Sequence, residues 1–153
     1  MPKIDFLLTW EYVLRKATAQ DIWSIRSLVF TAKLDPTQIH WQQFWVIEYK
    51  NKIIACGQLR QFPNAQELGS LVVATAWRKQ GLGSFMTQHL INTATQPLYL
   101  ECLGQKLAKF YSRFGFVPVT FADLPPGIKK KFGFSELVRK LLRVPVVFMH
   151  WQR

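Results

Sequence analysis

Leu71-Val72-Val73-Ala74-Thr75-Ala76-Trp77-Arg78-Lys79-Gln80-Gly81-Leu82-Gly83-Ser84 is the stretch that decides the fold. Its first half closes a short apolar run (68–74) bounded by turn residues, the pattern of a buried strand. Its second half opens an amphipathic run (81–95). There Leu82, Phe85, Met86, His89, Leu90 and Thr93 repeat at the spacing of one helix face. His89 on that face reads as a satisfied or half-buried histidine. Two glycines at the strand-to-helix turn let the backbone come close to a ligand. First-turn amides of a helix lack intrahelical partners and carry the positive end of its dipole. With Arg78 and Lys79 beside them, they form a site for phosphate or pyrophosphate. A dinucleotide fingerprint needs a third glycine where this chain has Met86, and the Gly-Lys-Ser/Thr ending of a nucleotide P-loop is absent.

Outward from this turn the chain alternates strand and helix signals. A short strand (12–17) leads to a helix opened by Thr18, with Asp21 placed as in a capping box. Two strand-like runs (44–49 and 53–61) joined at Lys50-Asn51-Lys52 read as a hairpin. Pro63-Asn64 marks a turn before strand 67–74. Further strands follow at 98–103, 116–121 and 144–151. A helix at 105–113 is closed by Gly115, and Pro125-Pro126-Gly127 precedes a basic, partly helical segment to residue 142. This order predicts an α+β fold with a mainly antiparallel sheet between helical layers, not a doubly wound parallel sheet.

The chain has 153 residues and reads as one domain, 1–153. No apolar run is long enough to span a bilayer, and Asp5 interrupts the apolar N-terminus, which lacks a cleavage-site pattern. We therefore expect a cytoplasmic protein with no membrane partner. Cys56 and Cys102 lie in apolar runs and read as buried free thiols, and no Cys/His spacing suggests a metal. Twenty Lys and Arg oppose nine Asp and Glu; from residue 104 onward ten basic residues face only Asp123 and Glu136. Such a field attracts anions of any kind.

The stretch 71–83 resembles motif A of the GNAT (Gcn5-related) N-acetyltransferases, Arg/Gln-x-x-Gly-x-Gly/Ala after a strand. Leu107-Ala108-Lys109-Phe110-Tyr111-Ser112-Arg113-Phe114-Gly115-Phe116 is similar to that family's later tyrosine and Gly-Phe motif, in the right order and at a typical separation. The resemblance covers about residues 12–119. It implies a three-layer α/β/α fold with a mostly antiparallel, mixed sheet of about seven strands, splayed where acetyl-CoA binds. It further implies an acetyl-CoA co-substrate and a primary amine as acceptor. Amides across Lys79, Gln80, Gly81, Leu82, Gly83 and Ser84 would hold the CoA pyrophosphate, with Arg78 and Lys79 adding charge. The backbone of Leu71, Val72 and Val73 would pair with the pantetheine arm, and the Val73 N–H would polarise the thioester carbonyl. Tyr111 matches the family's general acid for the departing thiolate. Glu67 corresponds to the glutamate that serves many relatives as base, and strand alternation places it on one side with Gly69, Leu71 and Val73. Glu101, a carboxylate within an apolar strand, is its rival, because a lone buried carboxylate is costly. One departure stands out: Gly104, followed by Gln105, occupies the place of a family asparagine.

These residues favour an acetyltransferase acting on a small molecule, amino acid or peptide, with an acceptor that is itself anionic. The alternative is a non-catalytic module that binds nucleic acid or an acidic partner through Lys129, Lys130, Lys131, Arg139, Lys140 and Arg143. A solvated basic face accounts for those residues more simply, and the intact donor motif disfavours nucleic acid. Apolar content near the C-terminus suits a homodimer.

Overall fold

A computed structural model describes residues 11–152; the N-terminal stretch read above for a leader lies outside them. Among the described residues seven strands form one sheet: β1 Tyr12–Lys16, β2 Phe44–Tyr49, β3 Lys52–Phe62, β4 Ala65–Val73, β5 Leu98–Leu103, β6 Phe116–Val119 and β7 Val146–Trp151. Their order across the sheet is β1-β2-β3-β4-β5-β7-β6. β4 runs parallel to β5, pairing Gln66 with Leu98 and Glu67 with Tyr99. The pairs β1–β2, β2–β3, β5–β7 and β6–β7 are antiparallel. Four α-helices among the described residues accompany them: α1 Ile22–Thr31, α2 Leu82–Thr93, α3 Gly104–Ser112 and α4 Pro126–Leu142. The expected α+β class with a mixed, mostly antiparallel sheet of seven strands is the observed one.

The hairpin turn is tighter than its sequence suggested. Tyr49 pairs with Lys52, so the loop is Lys50-Asn51 alone. Both residues have positive φ (46° and 64°), as a two-residue turn matched to the strand twist requires. Another non-glycine residue with positive φ is Ser70, at 48° inside β4. It breaks the pleat there, so alternation cannot place Glu67 and Gly69 on the same side as Leu71 and Val73.

By contact the described residues group into two compact units, one made of those up to 59 together with 70–93, the other of 60–69 together with those from 94 onward. In the first, Ile25 and Val29 of α1 pack with Phe44, Val46, Cys56 and Val72. Gly57, next to Cys56 and so facing the other way, lies against Met86 and Leu90 of α2 and Leu71. One helix therefore covers each face. Thr18 opens the helical region as expected: its N–H donates to Asp21 Oδ2 at 2.7 Å. His89 meets the edge of Trp45, ring centroids 4.2 Å apart, and burial pushes its pKa down, so it stays neutral near pH 7.

In the second unit, Ile128 and Phe132 of α4 pack with Ala65, Tyr99, Leu124 and Phe148. Tyr111 of α3 packs on Phe116 from the opposite side of β6, since Phe116 and Val119 point to opposite faces. The segment expected to be partly helical is one helix of 17 residues, with proline at its first position. It ends at Arg143, whose φ of 54° forms a left-handed cap. Gly115 closes α3 at φ 101°, where a Cβ would sit 2.9 Å from the Gln152 carbonyl oxygen. Cys56 and Cys102 are both buried free thiols.

Candidate functional site

In the first unit, β4 ends at Val73, a 3-10 turn spans Thr75–Trp77, and α2 begins at Leu82. Between them Lys79 (φ 65°) and Gly81 (φ 87°) take left-handed conformations that turn the chain into the helix. The two glycines thus do different jobs. Gly81 is needed for its backbone angle, whereas Gly83 lies within the first turn of α2. The helix's first hydrogen bond runs from the Phe85 N–H to the Gly81 carbonyl at 2.9 Å. Leu82, Gly83 and Ser84 therefore contribute first-turn amides at the positive end of a 12-residue helix. Lys79 is exposed. Arg78 is exposed too, but its Nε donates to the Val73 carbonyl at 3.1 Å, tying it to the end of β4. A cavity of about 180 Å³ opens beside this strand end, lined by Val72, Val73, Ala74, Thr75, Arg78 and the C-terminal part of α1. Leu71, Val72, Val73 and the residues 78–84 singled out in the sequence are thus brought together in one unit.

The second unit holds the other named residues. Tyr111 is buried, its ring edge-on to Phe110 at 5.0 Å and to Phe116 at 5.8 Å. Burial, and secondarily the nearby Cys102, raises its pKa well above the ordinary phenol value. The Cys102 thiol is pushed up to about 11, by burial first and Glu101 second. Both groups therefore hold their protons at neutral pH. Gly104 begins α3 at φ 83°, a conformation for which glycine is suited, and its N–H donates to the Pro145 carbonyl at 2.7 Å.

Glu67 sits at the centre of a buried ionic cluster. Its side chain is 2% exposed; Oε1 accepts from Arg60 Nη1 at 2.9 Å and Oε2 from Lys131 Nζ at 3.0 Å. The Arg60 guanidinium occupies the space a Cβ on residue 69 would need, so Gly69 makes room for it. Glu101 stands at the margin of the same cluster. Burial raises its pKa, opposed by a hydrogen bond to Ser135 and by Lys131, while Glu67 adds to the rise. Its Oε2 is buried with no hydrogen-bond partner among the described residues. The two candidate bases thus differ: Glu67 has both oxygens engaged by cations, and Glu101 has an oxygen to spare. Sequence reasoning missed Arg60, Lys131 and Ser135. Arg60 left a signal, a cation at an inward position of an apolar strand. Lys131 left none, since the run of three lysines reads as a solvated face.

The family model for the acetyltransferase (GNAT) domain matches residues 40–118, and the chain belongs to this family. Solved structures agree on the fold. Over 93% of this chain, with TM-score 0.72 and 18% identity, it is similar to N-acetylglutamate synthase from Neisseria gonorrhoeae complexed with coenzyme A and N-acetyl-glutamate. The chain spans 35% of that protein's length. Rv2747 from Mycobacterium tuberculosis, in complex with CoA and NLQ, aligns over 92% of this chain and 99% of its own, with TM-score 0.70 and 20% identity. Escherichia coli ElaA aligns over 93% and 99%, with TM-score 0.64 and 16% identity. No curated protein sequence matches significantly.

Proposed function

We propose that the protein transfers an acetyl group from acetyl-CoA directly to a primary amine. The observation that carries this reading is the turn into α2, where Lys79 and Gly81 are left-handed and lead to the helix's first amides. Those amides suit a pyrophosphate. Two structures that share the fold contain CoA, which supports the same donor. The backbone of Leu71, Val72 and Val73 would take the pantetheine arm, and the Val73 N–H would polarise the thioester carbonyl.

In this reaction the neutral amine nitrogen attacks the carbonyl carbon, the C–S bond breaks, and the amine proton passes to a base. We assign the base to Glu101, acting through water, because its Oε2 is an unused acceptor. Glu67, the base implied by the family resemblance, would have to give up a buried cation first. Burial moves the Glu101 pKa toward the operating pH, which suits a base. Tyr111 assists the thiolate. With its pKa raised above the ordinary phenol value, it is a weaker acid than an ordinary thiol. Its contribution is then a hydrogen bond to the departing sulfur more than complete proton transfer. The acceptor is expected to be an amino acid or a similar anionic amine. The net charge of +11 favours it, and one similar fold holds N-acetyl-glutamate.

Calorimetry with acetyl-CoA, followed by thiol release across a panel of amines, tests the proposal. Gly81→Val, strained at φ 87°, should weaken donor binding at least tenfold. Glu101→Gln should leave donor binding intact, lower kcat/KM about 10²-fold or more, and remove the acidic limb of the pH profile. Tyr111→Phe should lower kcat about tenfold with donor affinity nearly unchanged. Absence of acetyl-CoA binding to the unaltered protein would end the proposal.

A further inference from the structure

We propose that the exposed side of α4 is a docking face for an anionic lipid bilayer. Opposite the residues that α4 buries (Ile128, Phe132 and Glu136), it presents Phe134, Leu137, Leu141 and Leu142 to solvent, 75%, 52%, 71% and 72% exposed. Phe134, Leu137 and Leu141 follow one another at i, i+3 and i+7, a continuous stripe along the helix. A helix packed on a sheet ordinarily turns polar side chains outward, so this apolar stripe calls for an occupant.

Charge selects the occupant. Lys130 lies one turn before Phe134, and Arg139, Lys140 and Arg143 surround the far end, all exposed. The helix has a single carboxylate, Glu136, which is turned inward and answered by Arg139 at 2.8 Å and Lys140 at 3.6 Å. A second copy of the chain docked here would set cations against cations. An acidic protein would need a groove to receive a convex helix. An anionic bilayer needs none: Phe and Leu enter its interface while Lys and Arg reach the headgroups. No helix among the described residues is long and apolar enough to cross a membrane, so the contact is with its surface. The absence of a spanning run, from which we expected no membrane partner, does not bear on surface binding.

The experiment is co-sedimentation of the full chain with phosphatidylcholine vesicles, with and without phosphatidylglycerol. Binding is expected only to the anionic vesicles and should weaken with added salt. Lys130→Gln, Lys140→Gln and Arg143→Gln together should reduce it on the order of a hundredfold. Phe134→Ser with Leu137→Ser and Leu141→Ser should reduce it at least tenfold while circular dichroism and the melting curve stay close to those of the parent. Equal binding to neutral vesicles, undiminished binding of the charge variant, or no binding at all would overturn the proposal. So would a concentration-dependent dimer, seen by sedimentation equilibrium, that the serine variant dissolves.

Discussion

Replacing Glu67 by glutamine removes one negative charge from between two buried cations at almost constant volume. The side chains of Arg60, Glu67 and Lys131 are 6%, 2% and 9% exposed, so neither cation has ready recourse to water. Breaking such a pair from one side costs about 3–5 kcal/mol, because the remaining charge is left buried. Lys131 has a flexible stem and can swing outward, which lowers the cost. Arg60 is held across the space above Gly69 and has less freedom. We therefore expect about 3 kcal/mol, which for a chain of this length is a melting temperature lower by roughly 6–12 °C. Adding Lys131→Met to Glu67→Gln removes one stranded charge and should recover about half of the loss. Urea unfolding and thermal melts of the parent and the two variants read these differences, and turnover per folded molecule should fall much less than with Glu101→Gln. The opposite result would be a cost for Glu67→Gln under about 1 kcal/mol with kcat lowered on the order of a hundredfold. That outcome would make Glu67 the base and the ion pairs incidental.

Two further perturbations bear on the fold around these sites. Gly69→Ala puts a methyl group into the Arg60 guanidinium and should cost about 1–3 kcal/mol in urea unfolding; a neutral result would show that Arg60 has room to move. Asp21, bonded to Arg15 at 2.7 and 3.0 Å, has its pKa lowered from 3.8 to about 2, chiefly by that guanidinium. A lowered pKa stabilises the fold above the unfolded value, and the gain is lost as pH falls from about 4 toward 2. The shift corresponds to about 2 kcal/mol before screening by the water that reaches Arg15, so about 1 kcal/mol is expected. Asp21→Asn should lose that amount at pH 7, and the difference from the parent should close across the same acid window in equilibrium unfolding.

The fold was largely legible because each element carried a local physical signal. Apolar runs marked the strands, Thr18 and Asp21 announced the start of the first helical region, and Gly115 closed α3 where no side chain fits. The donor loop was legible for the same reason: a left-handed residue and a helix start are local, and Gly81 reports them. Lys79 and Ser70, the other left-handed residues near the site, are of types that give no such notice. Ser70 mattered most. Strand alternation would put Glu67 on a face with Leu71 and Val73 only along an unbroken pleat, and Ser70 at φ 48° interrupts it.

The acid–base chemistry was less legible because it depends on partners distant in sequence. Glu67 meets Lys131 across 64 residues. Nothing near Glu67 distinguishes a free carboxylate from one already held by two cations. Glu101 shows the converse. Its place in an apolar strand pointed to a carboxylate that must face a cavity or find a partner, and burial raises its pKa there, since that depends on its own strand. The cluster joins the two: Lys131 draws on Glu67, Glu67 raises the proton affinity of Glu101, and Ser135 satisfies only part of it. Because the two carboxylates share Lys131, neutralising Glu67 should lower the Glu101 pKa. The acidic limb of the pH–rate profile of Glu67→Gln should then shift to lower pH; a limb that stays in place would dissociate Glu101 from the base.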